Sequence, residues 1–264
     1  MSQVIDAWNQ GDPYEYFMGR WSRLVAPLFL SWLNLPDDLS WIDVGCGTGA
    51  LSDAIQKKCK PRFLTCVDPS EEFLQKTKKR ISGGAEFVVG TASSIPIPSA
   101  SVDNVVSGLA LNFFPEMTVA IGEMKRVVKR AGTIAAYVWD YSDRMDFLRV
   151  FWDAASQVDP NARQLDEGVR FPICNVDKLS DAFRQAGLAN ITTSNLDATT
   201  TFKNFEDYWD PFLGGQGPAG TYLVSLDASR QNAIKAIVRK QLPIEKDGSI
   251  ILLARALAVR GLRK

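Results

Sequence analysis

The sequence predicts an α/β fold built on a doubly wound, mostly parallel sheet, and two observations carry that reading. Short apolar runs, each ending in glycine or polar residues, alternate with charged helix-like stretches from Trp41 to Trp139, which is the rhythm of β-α units. The first run passes directly into three alternate glycines, Gly45, Gly47 and Gly49, and then into a helix-like segment. Glycines there let the chain turn sharply and let a ligand approach backbone N–H groups without a side chain in the way.

The elements follow in order. Five strand candidates are Ser40–Val44, 62–67 closed by Asp68, 85–89 closed by Gly90, 102–107, and 133–139 reading TIAAYVW. Between them the pattern predicts helices over Ala50–Lys58, over Glu71–Arg80 with Ser70 as N-cap, and over 117–129, where Val119, Met124, Val127 and Val128 form an apolar stripe. Strand and helix alternating in this way imply parallel strands with crossover helices.

After Asp140 the rhythm changes. A helical stretch rich in aromatics covers 149–158, a break falls at 171–174, and an amphipathic helix over 176–186 ends at Gly187. Two β-like runs, 191–202 and 249–259, bring the expected sheet to seven strands. Between them, 206–220 reads as a compact loop-rich stretch with Tyr208, Trp209, Phe212 and four glycines, followed by a helix over 227–241. No internal repeat is evident. We expect a single domain over 1–264: a lid at 1–35, a cofactor-binding core at 36–140, substrate cap segments at 141–175 and 203–226, and the rest of the core at 176–202 and 227–264.

Composition removes whole classes of chemistry. Hydrophobic residues make up 46% and charged residues 23%, so the chain is globular rather than disordered or fibrous. Thirty basic residues balance thirty acidic ones, so no bulk charge draws the chain to nucleic acid or to an anionic membrane. Histidine is absent, which excludes Ser-His-Asp hydrolysis, Cys-His proteolysis, imidazole-ligated zinc and any imidazole base. Cys46, Cys59, Cys66 and Cys174 contain no C-x-x-C pair; reduced thiols, a cytoplasmic location and no metal are expected. Met1 to Asp12 shows no basic stretch followed by an apolar run, and no apolar run reaches 18 residues, so neither export nor a membrane span is expected.

The glycine run alone leaves two readings open. Gly45-x-Gly47-x-x-Ala50 with Asp68 about twenty residues on satisfies a dinucleotide fingerprint, which would make the chain an NAD(P)-dependent oxidoreductase. Against that, Asp43 stands two places before the first glycine, and a carboxylate beside the loop suits a ligand bearing an ammonium while worsening the site for a pyrophosphate.

At these residues the sequence resembles the class I S-adenosylmethionine-dependent methyltransferases, and the resemblance spans most of the chain. The first motif is Asp43-Val44-Gly45-Cys46-Gly47-Thr48-Gly49, and the second, Val67-Asp68-Pro69-Ser70, places an acid where the family holds the ribose hydroxyls. The third, Phe87-Val88-Val89-Gly90-Thr91-Ala92 followed by Ile95-Pro96, looks like the adenine-facing loop. The fourth runs from Val102 to Ser107, so that Ser107, Gly108 and Leu109 lie under the methionine end. Met124 to Lys129 and a turn at Gly132 are similar to the small-molecule enzymes related to quinone biosynthesis. Two letters depart from the pattern: Thr91 stands where many relatives have Asp, leaving the adenine a hydroxyl or backbone carbonyl, and Arg130-Ala131-Gly132 replaces a Pro-Gly-Gly turn.

The resemblance implies a Rossmann-like seven-stranded sheet with an antiparallel C-terminal strand, a helical lid and an insertion. It also implies S-adenosylmethionine as methyl donor, with S-adenosylhomocysteine as product and no metal. The segment from Tyr14 to Trp21 resembles the family's lid helix, with Arg20 the candidate partner for the methionine carboxylate; Phe17 and Trp21, four apart, also fit simple packing on the sheet. The acceptor is expected over the strand ends, where Tyr14, Asn112, Phe113, Trp139, Tyr208 and Trp209 make a small, flat or lipophilic molecule the best fit. Asn112-Phe113-Phe114-Pro115 lacks the double proline of enzymes that methylate DNA bases. If a hydroxyl is methylated, Asp140 is the first candidate base, with Tyr141 and Glu15 behind it. A monomer or homodimer is expected. A cofactor-binding protein without catalysis is the third reading.

Overall fold

The computed structural model describes residues 19–264. Its seven strands are β1 (Ser40–Val44), β2 (Phe63–Asp68), β3 (Glu86–Val89), β4 (Val102–Gly108), β5 (Val128–Trp139), β6 (Ala189–Phe202) and β7 (Ile250–Leu262). They form one sheet in the order β3-β2-β1-β4-β5-β7-β6. The pairs β3-β2, β2-β1, β1-β4 and β4-β5 are parallel, whereas β5 and β7 run antiparallel, Val138 opposite Leu257. The order reverses between β1 and β4, so the carboxyl ends of these two strands flank the topological switch point where open α/β sheets bind ligands.

The chain divides into two compact units. The first, the sheet unit, comprises Ser22–Trp139, Ile173–Leu196 and Ala256–Lys264. Helices α1 (Arg20–Leu33), α2 (Ala50–Lys58), α3 (Glu71–Arg80) and α4 (Met117–Val127) precede or connect its strands. Because such crossovers cover both faces, its central strands bury apolar residues on both sides: Trp41, Ile42, Val44, Val105, Val106 and Ile134 are all buried. The helix read over 117–129 stops at Val127, and Val128 already belongs to β5, whose chain then turns through Ala131 at φ 60° and Gly132. A Cβ on Gly132 would come within 2.6 Å of the Asp103 carbonyl, so the turn accepts no side chain there.

The second unit comprises, among the described residues, 19–21 together with Asp140–Pro172 and Asp197–Arg255. Among its described elements are α5 (Asp146–Val158), the short α6 (Glu167–Arg170), α8 (Phe205–Leu213), α9 (Gly217–Ser225) and α10 (Ala228–Gln241), while α7 (Val176–Gln185) belongs to the sheet unit. Its stretch Asp140–Pro172 overlaps the cap segment expected at 141–175, and the unit also takes in 197–202 and 227–255, which were expected to belong to the core. The stretch expected to be loop-rich, 206–220, is mostly helical. Asn204 caps α8 through its side chain, and Pro218 sits in the first turn of α9, where its missing N–H costs nothing. An aromatic cluster fills this unit: Phe147 stacks on Phe212 at 4.4 Å and on Phe202 at 5.8 Å, and Phe151 stacks on Phe212 at 4.6 Å. No helix among the described residues is long and apolar enough to cross a membrane.

Candidate functional site

The loop that follows β1 is tied down on one side and open on the other. Gly45 and Cys46 both donate their N–H to the Val67 carbonyl, at 2.8 and 3.1 Å, and Gly49 N–H closes the turn on Cys46 O at 2.9 Å. Thr77 Oγ1 donates to Gly47 O at 2.7 Å, and a Cβ on Gly49 would meet the Thr77 methyl at 2.7 Å, so α3 holds the loop from beneath. Gly47 differs. It has φ 54°, in the left-handed region, and nothing lies within 4 Å of where its Cβ would be. That open space, at the amino end of α2, is a cradle that a side chain would fill.

Two carboxylates border the cradle. Asp68, the last residue of β2, accepts Gly47 N–H on one oxygen and Ser70 N–H on the other, each at 2.9 Å. Burial raises its pKa, and these two backbone bonds oppose the shift. Asp43 is fully buried; its Oδ2 accepts from Ser52 Oγ at 2.6 Å, and its Oδ1 has no hydrogen-bond partner among the described residues. Burial pushes its pKa to about 7, with Ser52 opposing and the Asp68 charge adding. A buried acid with one oxygen unpartnered either keeps its proton or pairs with a cation, and an ammonium is a cation suited to that oxygen. The first loop cysteine, Cys46, is buried, and the neighbouring Cys66 pushes its thiol well above the ordinary range. Thr48 is buried and receives a long bond from Arg80, 3.5 Å.

The remaining sheet-unit candidates lie at the same strand ends. Pro69 leads into α3, which Ser70 caps by accepting Phe73 N–H at 3.3 Å. Thr91 bridges Ser94, and its hydroxyl lies 3.3 Å from that of Ser93, with Ala92 between. Ser107 is fully buried with an unpartnered hydroxyl among the described residues. Gly108 faces Tyr137, whose hydroxyl would lie 2.7 Å from a Cβ there, and Leu109 adopts φ 59° while donating its N–H to Tyr137 O. Asn112 follows in a 3-10 turn, Leu111–Phe113, with both polar atoms of its carboxamide buried and unpartnered among the described residues. Phe113 is 40% exposed and Trp139, on β5, is buried.

Sequence reasoning missed one device in this unit. Arg126 on α4 donates to Ile95 O at 2.7 Å and to Ile97 O at 2.9 Å, while Glu123 accepts Ile95 N–H at 3.0 Å and pairs with Arg126 at 2.7 Å. Together they brace the segment just after Thr91 and Ala92. The E-x-x-R spacing was visible; its backbone targets, about thirty residues upstream, were not.

The second unit sorts its candidates differently. The Arg20 guanidinium is bonded to Asp207 at 3.0 Å and lies 5.2 Å from the Phe202 ring centroid. Tyr208 and Trp209, expected to line a substrate pocket, are buried inside this unit's aromatic cluster, Tyr208 donating its hydroxyl to Phe147 O at 2.7 Å. Asp140 is 6% exposed, its pKa raised first by burial and then by the Asp143 charge, with Arg255 opposing. Tyr141 packs on Phe171 at 5.9 Å. Tyr14 and Glu15 lie outside the described residues. No group of three or more potential metal ligands occurs among the described residues.

The comparisons with known proteins find similarity to methyltransferases. Residues 42–136 match the family described as methyltransferase domain. Methyltransferase tpcH of Aspergillus fumigatus is 32% identical over 107 residues, 37% of this chain and 38% of that protein. The demethylmenaquinone methyltransferase of Thermotoga maritima is 29% identical over 115 residues, 44% of this chain and 48% of that protein. The chain thus spans less than half the length of these two curated relatives. A phosphoethanolamine N-methyltransferase of Haemonchus contortus, solved with S-adenosyl-L-methionine, shares the fold with a TM-score of 0.58 at 12% identity, over 96% of this chain and 56% of that one.

Proposed function

Proceeding from a chain that is a class I S-adenosylmethionine-dependent methyltransferase by domain and motifs, similar to the quinone-biosynthesis methyltransferases, we propose that it transfers a methyl group by direct displacement to a small, flat or lipophilic acceptor. The observation that carries the reading is the pair of carboxylates at the glycine loop. Asp68 already takes the Gly47 N–H that a pyrophosphate would need, and Asp43 sits buried beneath with one oxygen uncompensated. Two acids at one loop repel linked phosphates and attract an ammonium, so the nicotinamide dinucleotide alternative loses its anion site.

The residues fit the proposed cofactor. Asp43 would meet the ammonium, Asp68 would keep lone pairs for the ribose hydroxyls, and Thr91 and Ala92, just before the braced segment, would face the adenine through a hydroxyl and backbone groups. Ser107, Gly108 and Leu109 would flank the methionine chain. When bound, S-adenosylmethionine supplies a methyl group already activated by a positive sulfur. The protein's part is therefore alignment and exclusion of water more than acid-base chemistry. Where the acceptor is a hydroxyl, Asp140 is the group to take its proton, with Tyr141 as second candidate. Its support is its place directly after β5 and a burial that holds its carboxyl above the ordinary range.

Thermal melts and a label assay test this. S-adenosylhomocysteine is expected to stabilise the protein and reduced nicotinamide dinucleotide is not. Methyl-labelled S-adenosylmethionine is expected to pass its label to a low-molecular-weight product in fractionated metabolites. Stabilisation by the dinucleotide alone would reverse the assignment, and nucleoside binding without label transfer to any fraction would reduce it to a non-catalytic binding protein.

A further inference from the structure

We infer that Asn112 selects the methyl acceptor, and that the molecule it selects is a flat ring presenting a hydrogen-bond donor and acceptor side by side, as a lactam does. This rests on the methyltransferase reading above and adds the chemistry of the second substrate to it.

Asn112 is built into a turn that the fold holds rigidly beside the glycine loop. Leu109 donates its N–H to Tyr137 O at 2.8 Å, Phe113 N–H bonds Ala110 O at 2.9 Å, and Leu111 is buried beneath. A Cβ on Gly45 would come within 2.8 Å of the Ala110 Cβ and 3.3 Å of the Phe114 ring, so the turn lies directly against the first loop glycine. Leu109 carries φ 59°, a left-handed conformation costly for a residue with a side chain. Such strain persists where the surroundings impose it, and it concentrates at ligand sites.

Within that turn the Asn112 carboxamide has both its oxygen and its nitrogen buried, and neither has a partner among the described residues. A buried amide is ordinarily satisfied, because leaving it bare costs a hydrogen bond at each end. Packing alone would be served as well by leucine, which has nearly the same shape and no polar atoms. The polarity is therefore kept for something outside the fold.

The chemistry of the partner follows from what the amide can exchange. A carboxylate would accept from Nδ2 and leave Oδ1 bare; an ammonium would satisfy Oδ1 and leave Nδ2 bare. A single partner satisfies both only if it carries an acceptor and a donor on one edge, and the two coplanar bonds it then forms hold its ring in the plane of the carboxamide. The other unpartnered polar atoms nearby do not compete for that edge. Asp43 Oδ1 calls for a cation, and the Ser107 hydroxyl is a single group that rotates.

The test uses the full chain saturated with S-adenosylhomocysteine and titrated calorimetrically with 2-quinolone, which has the paired edge, quinoline, which has only an acceptor, and 1-methyl-2-quinolone, which lacks the donor. 2-Quinolone is expected to bind at least about tenfold more tightly than either control, the equivalent of one net hydrogen bond. Asn112→Leu should abolish the preference, hold S-adenosylhomocysteine affinity within about twofold, and melt at a higher temperature than the native chain without ligand. Equal binding of the three compounds, no binding of 2-quinolone, or an intact preference in Asn112→Leu overturns the inference. So does a loss of S-adenosylhomocysteine affinity in that variant, since Asn112 would then serve the cofactor. Failure of the native chain to bind S-adenosylhomocysteine shows before any quinolone is added, and brings down the methyltransferase reading itself.

Discussion

The carboxylate of Asp68 accepts the backbone N–H of Gly47 at 2.9 Å, joining the end of β2 to the open glycine of the loop after β1. The acid proposed to hold the ribose thus also fixes the peptide that forms the cradle. Asp68→Ala removes both, and a charge-assisted hydrogen bond contributes about 1.5 to 3 kcal/mol. Calorimetry should find S-adenosylhomocysteine affinity reduced roughly 10- to 150-fold. Unchanged affinity would take Asp68 out of the site.

Asp43 gives the protein a pH signature. Its carboxyl titrates near 7 in the fold against an ordinary value of 3.8, so the folded state holds the proton more tightly than the unfolded state does. The stability this contributes is fully present below about 3.8 and is lost as pH rises through about 7. Binding an ammonium reverses the preference, because the charged carboxylate then has a partner. Two outcomes are expected. The ligand-free melting temperature should fall between pH 5 and 8 more steeply in the native chain than in Asp43→Asn, and S-adenosylhomocysteine affinity should rise over the same interval. Glu167, buried in the second unit and also pushed to about 7, slopes the same way, so the difference between native and variant is the quantity to read. Parallel curves would show that Asp43 is not titrating there.

Tyr208 separates a core role from a pocket role. Its hydroxyl donates to Phe147 O at 2.7 Å, and its ring is buried among Phe147, Phe202 and Phe212. Tyr208→Phe removes one buried hydrogen bond, about 1 kcal/mol, and should lower the melting temperature by about 2 to 4 °C. The Michaelis constant for an acceptor found in the label assay should not move. A raised constant with an unchanged melt would return Tyr208 to the substrate pocket.

How much of this was legible in the sequence depended on how local the cause was. The glycine loop, Asp68 and the sheet strands each announce themselves within a few residues, through alternate glycines, a terminal acid and apolar runs. The fold then needed only the rule that alternating elements make parallel strands. What failed to show was longer in range or ambiguous in letters. The Arg20 partner, Asp207, is 187 positions away, so nothing near Arg20 could report it. Helices α8 and α9 were hidden by the glycines at their junction and by apolar residues on most sides of α9, which leave little periodicity to read. The end of α4 was missed because the apolar stripe runs unbroken from Val127 into Val128, where helix gives way to strand. Tyr208 and Trp209 read equally as core or pocket, because either role asks for an aromatic ring.

Asp140 makes the remaining claim, a kinetic one. It is buried, and its pKa is raised chiefly by that burial and further by Asp143, with Arg255 and hydrogen bonds from Ser142 and Asp143 opposing. A general base contributes about 10²- to 10⁴-fold when the acceptor must lose a proton in the transition state. Asp140→Asn keeps the shape and removes the basicity. Turnover of a hydroxyl acceptor should therefore fall by at least about 10²-fold, while S-adenosylhomocysteine affinity stays near native. The native pH profile should show turnover rising with deprotonation of a carboxyl above its ordinary 3.8, a limb absent from the variant. A variant that turns over at the native rate would remove Asp140 from the chemistry. It would point instead to a carbon or thiolate nucleophile, which needs no base from the protein.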